Sequence, residues 1–365
     1  MKVVIAAGGT AGHLYPAFST VQALRELLKA DQSSLDARVF GPDTRGEKAL
    51  TEKAGLSFEN IPAAPLRGRT PLKLILNIFF ILIGTIQAFY RLLFFRPDVI
   101  LSTGGYGSIP ACIAGRLLQL PLVIFLPDIE PGLAVRFESK IATHIATSTK
   151  HVNTGLSKKK LSVTGYPVRN RFNELTTDSA RIKMGLKDNE TVLFVSGASQ
   201  GSQLLNNFVF QELEDLCQSA VILHITGEKD IEEALKKRAD LPADLVNRYR
   251  PESFFEDIPI FMFSANLSIM RAGASILGEL PAAKLPAILI PGDYAGGHQK
   301  ANAHWLANQG AAVIIEESEL AQLKQKTLEI LTNETRLKKM KTAMHNIGEI
   351  TAAKNLAHLL LEAKR

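Results

Sequence analysis

Two glycine-rich stretches carry the residue types that hold negatively charged ligands: Gly8-Gly9-Thr10-Ala11-Gly12-His13 near the start and Gly197-Ala198-Ser199-Gln200-Gly201 near the middle. Each follows an apolar run and precedes a helical pattern. Glycine lets the backbone turn sharply and approach a ligand closely, and the helix that follows offers unpaired N–H groups to an anion. One such loop often only tightens a turn; two in matching positions predict a twin-domain protein that binds its ligand in a cleft. A third glycine turn, Arg271-Ala272-Gly273-Ala274-Ser275-Ile276-Leu277-Gly278-Glu279, follows the apolar run Leu267–Met270. Glu279 falls one helical turn beyond Ser275, from where a carboxylate can accept both hydroxyls of a ribose, although a helix-surface glutamate is ordinarily just solvated. The segment from Pro291 to Asn302 is crowded with side chains that hydrogen-bond sugars. His298 and His304 lack the spacing and carboxylate partners of a metal site, so no metal is expected.

These loops need a scaffold, and the apolar runs supply one. Strands are predicted at Val3–Ala7, Arg38–Gly41, Ser57–Ile61, Asp98–Ser102, Leu122–Phe125, Ile145–Ser148 and Leu161–Thr164, with helices between several of them. Pro16 is expected to open a helix running through Leu24 and Leu28. After the turn-rich Gly165–Asn170 the pattern restarts, with strands at Thr191–Ser196, Val221–Thr226, Leu267–Met270, Ala287–Pro291 and Ala312–Ile315. Alternation of this kind predicts an α/β protein with two doubly wound, Rossmann-like parallel sheets facing a cleft. The expected division is 1–167, 168–345 and a C-terminal helix, 346–365, that returns to the first domain.

The chain has 365 residues, more than one core usually holds, and its 46% hydrophobic and 21% charged residues are those of a folded protein. Cys112 and Cys217 stand alone without ligand spacing, and the Met1-Lys2 start runs straight into a strand, so a reducing, cytoplasmic setting without a secretory signal is expected. A net charge of +6 favours an anionic partner. Lys158-Lys159-Lys160 is too short to mark a nucleic-acid module, and nucleic acid is not expected as a partner.

The least polar segment follows Arg67 and Arg69. From Leu74 to Tyr90, between Lys73 and Arg91, no residue is charged. That is the lower edge of the roughly 17–25 residues that cross a bilayer as a helix. A crossing would put consecutive strands of one sheet on opposite sides of the membrane. The expectation is instead a helix lying on an anionic membrane surface, with Ile75, Phe79 and Phe80 toward lipid and Arg69, Lys73 and Arg91 toward headgroups. A helix packed into the domain core is the alternative.

Taken in order, Gly8–His13, Gly104-Gly105-Tyr106, Gly165-Tyr166-Pro167-Val168-Arg169, Ser199-Gln200-Gly201, Arg271–Glu279 and His298-Gln299…Asn302 resemble the motif set of the MurG family. That family comprises glycosyltransferases of family 28 that move N-acetylglucosamine from its UDP conjugate to undecaprenyl-pyrophosphoryl-muramyl-pentapeptide in peptidoglycan synthesis. The resemblance implies a GT-B fold, an inverting transfer, no cofactor or metal, a polyprenyl-pyrophosphoryl-linked acceptor, and peripheral attachment to the cytoplasmic face of the cell membrane. It places Arg169 and Ser199 near the donor pyrophosphate, Phe255 at uracil, Arg271 and the Ala274–Glu279 turn around the nucleotide, and Gln299 on the sugar. Thr10, Ala11 and Gly12 join the donor set. His13 and Tyr106 would meet the acceptor, His13 either as the base for the attacking hydroxyl or as a residue orienting the pyrophosphate.

Two departures stand out. Where the family carries His-Glu-Gln-Asn, this chain reads Phe125-Leu126-Pro127-Asp128, so the asparagine contact to the donor sugar falls on Asp128. An aspartate accepts hydrogen bonds from sugar hydroxyls and is also a possible general base. The second departure, His298 in place of a glutamine, keeps a hydrogen-bonding side chain. Related chemistries remain open from sequence: a transferase using diacylglycerol as acceptor, a UDP-sugar epimerase on a similar double fold, or a scaffold that binds UDP without turnover.

Overall fold

The computed structural model describes residues 1–8, 11–65, 70–151, 155–197, 201–292 and 297–364, apart from the side chains of Ala11 and Pro71. The chain divides into two compact units, Met1–Arg169 with Glu349–Arg365, and Asn170–Gly348. The first holds a parallel sheet of strands β1 (Lys2–Ala7), β2 (Asp36–Gly41), β3 (Ser57–Asn60), β4 (Val99–Gly104), β5 (Leu122–Leu126), β6 (His144–Thr147) and β7 (Leu161–Val163). Their order is β3-β2-β1-β4-β5-β6-β7, and Val4 of β1 lies opposite both Arg38 and Ile100. The second unit holds β8 (Val192–Ser196), β9 (Val221–Ile225), β10 (Tyr249–Glu252), β11 (Leu267–Met270), β12 (Ala287–Leu289) and β13 (Ala312–Ile314), ordered β10-β9-β8-β11-β12-β13. Helices pack on both sheets, and the central strands β4, β5, β8 and β9 are buried at every residue, as in parallel sheets covered on both faces.

The winding reverses at the same place in each sheet. The chain runs outward from β1 through β2 and β3, then crosses back to β4 beside β1; it does the same from β8 through β10 and back to β11. At such a reversal the loops leaving the two central strands diverge and open a crevice at their carboxyl ends, where ligands of this architecture bind. Gly8 and Gly104–Tyr106 leave β1 and β4; Gly197 and Arg271–Ser275 leave β8 and β11. The glycine motifs therefore sit on the two switch points.

Two details differ from the sequence expectation. Pro16 lies inside the helix Ala11–Ala30 rather than at its start. A proline there supplies no N–H to the carbonyl four residues back, Gly12, and Tyr166 Oη approaches that oxygen at 3.5 Å. The strand β10, Tyr-Arg-Pro-Glu, was not foreseen; its proline is tolerated because β10 is an edge strand. The helix Pro71–Phe95 buries one stripe, Gly84, Thr85, Ala88, Leu92 and Phe95, and exposes most of its remaining surface. It is not a core helix.

The C-terminal helix Ala352–Ala363 belongs to the first unit and packs on the helix Ala11–Ala30. Gly165, at φ +84°, lets it approach: an added Cβ would stand 2.6 Å from Glu349 Cγ and 2.9 Å from Ala352 Cβ. Asn355 Nδ2 donates to the Thr164 carbonyl at 3.2 Å.

Candidate active site

In the first unit, glycines let backbones meet where side chains would collide. A Cβ on Gly105 (φ +87°) would stand 2.4 Å from the Gly8 carbonyl oxygen and 3.5 Å from His13 Nε2. The β4 loop is thereby pressed against the β1 loop and the first turn of the helix Ala11–Ala30. His13 Nδ1 lies 2.8 Å from the Thr103 carbonyl oxygen. A carbonyl only accepts, so Nδ1 is the protonated nitrogen and the neutral ring keeps Nε2 as a base. Tyr106, half-buried on the same loop, has its hydroxyl 3.4 Å from Thr44 Oγ1. Asp128 is half-buried on the loop after β5, between buried Pro127 and Ile129. Arg169, the last residue of this unit before the chain enters the second, stacks its guanidinium 5.0 Å from the Tyr15 ring centre.

Beneath the Gly104–Gly105 loop lies a group that the sequence reading passed over. Glu138, on the helix Leu133–Ile141, is fully buried and meets Ser102 Oγ at 2.8 Å and Ser108 Oγ at 2.5 Å. Burial raises its carboxyl to about 7, against the lowering effect of the two serine hydroxyls and the Cys112 thiol. The signal was present in the chain: Glu138 follows Val135 at the three-residue spacing of that helix's buried face.

In the second unit the turn after β11 enters the helix Ile276–Ala283, with Ser275 as its N-cap. Gly273 faces open space, and Ala274, Ser275 and Glu279 are half-buried, whereas Ile276, Leu277 and Gly278 are buried. Arg271 turns inward: Nε donates to Ser202 Oγ at 3.1 Å, and Nη1 to the Ile290 carbonyl at 3.2 Å and to Glu317 at 2.5 Å. It ties the loop after β11 to the N-cap of the helix after β8, to the end of β12 and to the segment after β13. Gln299 Oε1 accepts from the Gly292 amide at 2.9 Å and from that of Ala272 at 3.3 Å, and Asn302 Nδ2 donates to the Ala272 carbonyl at 3.1 Å. Phe255, after β10, stacks on buried Phe261 with ring centres 4.3 Å apart. These side chains gather at the carboxyl edge of the second sheet. Thr10, Ser199 and Arg69 lie outside the described residues, as does the side chain of Ala11.

A buried polar chain braces that edge. His224 of β9 meets Tyr249 Oη at 2.9 Å and Asn206 Oδ1 at 3.0 Å, and Asn206 Nδ2 donates to the Thr226 carbonyl at 2.8 Å. That carbonyl lies 2.3 Å from where a Cβ on Gly201 would stand. Burial pushes the His224 imidazole down to about 3, so it stays neutral. Among the described residues no group of three or more His, Cys, Asp or Glu is placed to hold a metal ion.

On the helix Pro71–Phe95, Lys73, Ile75, Phe79 and Phe80 are exposed; Arg91 is exposed and paired with Glu59 at 2.9 Å. Gly84 packs against the Pro62 carbonyl, just past the carboxyl end of β3, and against Pro110, just past the β4 loop. The residues before it, Leu72 to Ile83, therefore extend beyond the sheet edge that carries His13. Only Asn77 and Ile81 of that arm are even half-buried.

Residues 3–147 match the glycosyltransferase family 28 N-terminal domain and residues 191–360 the C-terminal domain of the same family. A UDP-N-acetylglucosamine--N-acetylmuramyl-(pentapeptide) pyrophosphoryl-undecaprenol N-acetylglucosamine transferase from Halothermothrix orenii is 32% identical over 99% of this chain and 98% of its own. A protein of the same name from Moorella thermoacetica is 31% identical over 99% of each chain. Among solved structures, that of Acinetobacter baumannii MurG superposes with a TM-score of 0.75 at 24% identity, over 99% of both chains. With both halves matched in order and relatives that run its full length, the chain belongs to glycosyltransferase family 28, within the MurG family.

Proposed function

We propose that the protein transfers N-acetylglucosamine, with inversion, from UDP-N-acetylglucosamine to the C4 hydroxyl of the muramyl sugar of undecaprenyl-pyrophosphoryl-MurNAc-pentapeptide. The product is the lipid-linked disaccharide of peptidoglycan synthesis. The observation that carries this reading is the 32% identity over 99% of the chain to a transferase of that name. The placement of glycine loops at both switch points supports it independently.

The chemistry divides between the two loop sets. In the second unit, Glu279 holds the ribose hydroxyls, Phe255 lies at the uracil, and Gln299 addresses the sugar while its oxygen fixes the Gly292 and Ala272 amides. Ser199 and Arg169 hold the pyrophosphate. In the first unit, His13 Nε2 takes the proton as the acceptor oxygen attacks C1 of N-acetylglucosamine; the C1–O bond breaks and UDP departs with its electron pair. Negative charge growing on the β-phosphate is met by arginine and backbone N–H groups, which stabilise it without a divalent ion. Asp128 accepts from donor hydroxyls. The helix arm from Leu72 to Ile83 lies on an anionic membrane and keeps the His13 edge near a lipid-borne acceptor.

Purified protein incubated with radiolabelled UDP-N-acetylglucosamine and a soluble lipid I analogue, in chelator, should yield labelled disaccharide and UDP. Label on diacylglycerol instead, or free epimerised sugar without any acceptor, would assign the site to another reaction.

A further inference from the structure

Glu138, Ser108 and Gly105 form a chain in which the number of protons decides the geometry. Ser102 Oγ donates to Glu138 Oε2 and accepts from the Gly104 amide at 3.1 Å. Ser108 Oγ lies within reach of two acceptors, Glu138 Oε1 at 2.5 Å and the Gly105 carbonyl at 2.8 Å. A hydroxyl has one hydrogen, so it cannot serve both. If Glu138 is ionised, Ser108 must give its hydrogen to the carboxylate, and the Gly105 carbonyl loses this donor. If Glu138 is protonated, its own O–H donates to Ser108 Oγ, and the serine hydrogen is released to the Gly105 carbonyl. All the short contacts are then satisfied together.

We infer that Glu138 is a positioning residue: its protonated carboxyl, acting through Ser108, holds the Gly105 carbonyl and so fixes the glycine loop that packs on Gly8 and His13. The loop has little freedom to compensate, because Gly105 sits at φ +87° with its Cα against the Gly8 carbonyl. Ionising Glu138 removes the side-chain anchor from the half-buried Gly105 carbonyl and leaves it only the long contact from the Ser108 amide at 3.4 Å, a loss large enough to shift a loop. The carboxyl's rise to about 7 puts this event within the working range of a cytoplasmic enzyme. Among the described residues, the titratable group touching Glu138 is the Cys112 thiol, which burial raises well above the ordinary thiol range and keeps neutral. The charged residues on the two helices that pack there, Arg116 on one and Arg136 and Lys140 on the other, are exposed. His13 reaches the loop from the helix Ala11–Ala30, with its Nδ1 on the Thr103 carbonyl.

This inference rests on His13 and Tyr106 facing the acceptor. The test is the pH dependence of kcat/KM for a soluble lipid I analogue, in the wild-type protein and in Glu138→Gln, whose amide donates to Ser108 at every pH. The wild type should lose about tenfold per pH unit above the carboxyl's pKa. Glu138→Gln should hold its acid-side rate through that range, with the KM for UDP-N-acetylglucosamine unchanged in both. Ser108→Ala, which cuts the link itself, should lower the acceptor kcat/KM at all pH values and also remove the alkaline fall. An alkaline limb that survives in Glu138→Gln, or in Ser108→Ala should the first variant not fold, overturns the inference. Absence of transfer by the wild type would instead overturn the functional reading.

Discussion

The apolar arm of the helix Pro71–Phe95 permits a worked estimate of what contact with the proposed lipid surface would contribute. Ile75, Phe79 and Phe80 are 65%, 56% and 48% exposed. Fully burying such a side chain yields about 1.5–3 kcal/mol, so covering these exposed fractions with lipid yields about 1–2 kcal/mol each and about 4 kcal/mol together. The perturbation is Ile75→Gln, Phe79→Gln and Phe80→Gln in one protein, because glutamine keeps helix propensity while removing the apolar surface. At about 1.4 kcal/mol per tenfold, partition onto vesicles of mixed anionic and neutral phospholipid should fall by several hundredfold. The assay is co-sedimentation against a lipid titration. The melting temperature should stay within a few degrees, since these side chains cover no core, and turnover of a soluble acceptor analogue should be retained. Raised salt should weaken wild-type binding through Lys73 more than through Arg91, whose charge is already met by Glu59. Unchanged vesicle partition by the triple variant would refute the reasoning.

Three further outcomes are expected. His13→Ala should lower kcat by about 10²–10⁴-fold with little change in the donor KM, as loss of a general base does; a loss confined to KM would make the residue a binder instead. Glu279→Ala should raise the donor KM more than the acceptor KM, and equal effects would remove Glu279 from the ribose. His224→Phe should cost about 2–4 kcal/mol in chemical denaturation, by stranding Asn206 and the Tyr249 hydroxyl in a sealed interior. It should also flatten the pH dependence of stability. Native His224 stays neutral down to about 3, whereas the unfolded imidazole takes a proton below about 6.5, so wild-type stability falls with acid across that window. An equal acid slope in the variant would show that other groups carry it.

The parts of this molecule legible in its sequence are those governed by local rules. A buried parallel strand must be apolar on both faces, and a turn onto a ligand must have glycine; the runs before Gly8 and Gly197 obey both, and so disclose strand, switch point and loop together. Departures from that legibility arise where a residue answers to a neighbour distant in the chain. Strand β10 contains Pro251, which local propensity rejects and an edge position accepts. Pro16 sits inside a helix, and the Gly12 carbonyl it leaves without an N–H is approached instead by Tyr166, 154 residues further on. The apolar run after Lys73 announced a helix but not its environment, because hydrophobicity all round fits a core helix and an exposed apolar arm equally; the single buried stripe from Gly84 to Phe95 separates them. Glu138 is the sharpest case. Its charge suits a solvated helix face, and only the serines that β4 and the following helix bring beneath the loop give the carboxyl a place in the interior. A carboxylate at an apolar spacing is thus more informative than the apolar residues around it: burial without partners would cost several kcal/mol, so its presence there marks a polar arrangement that the fold must complete.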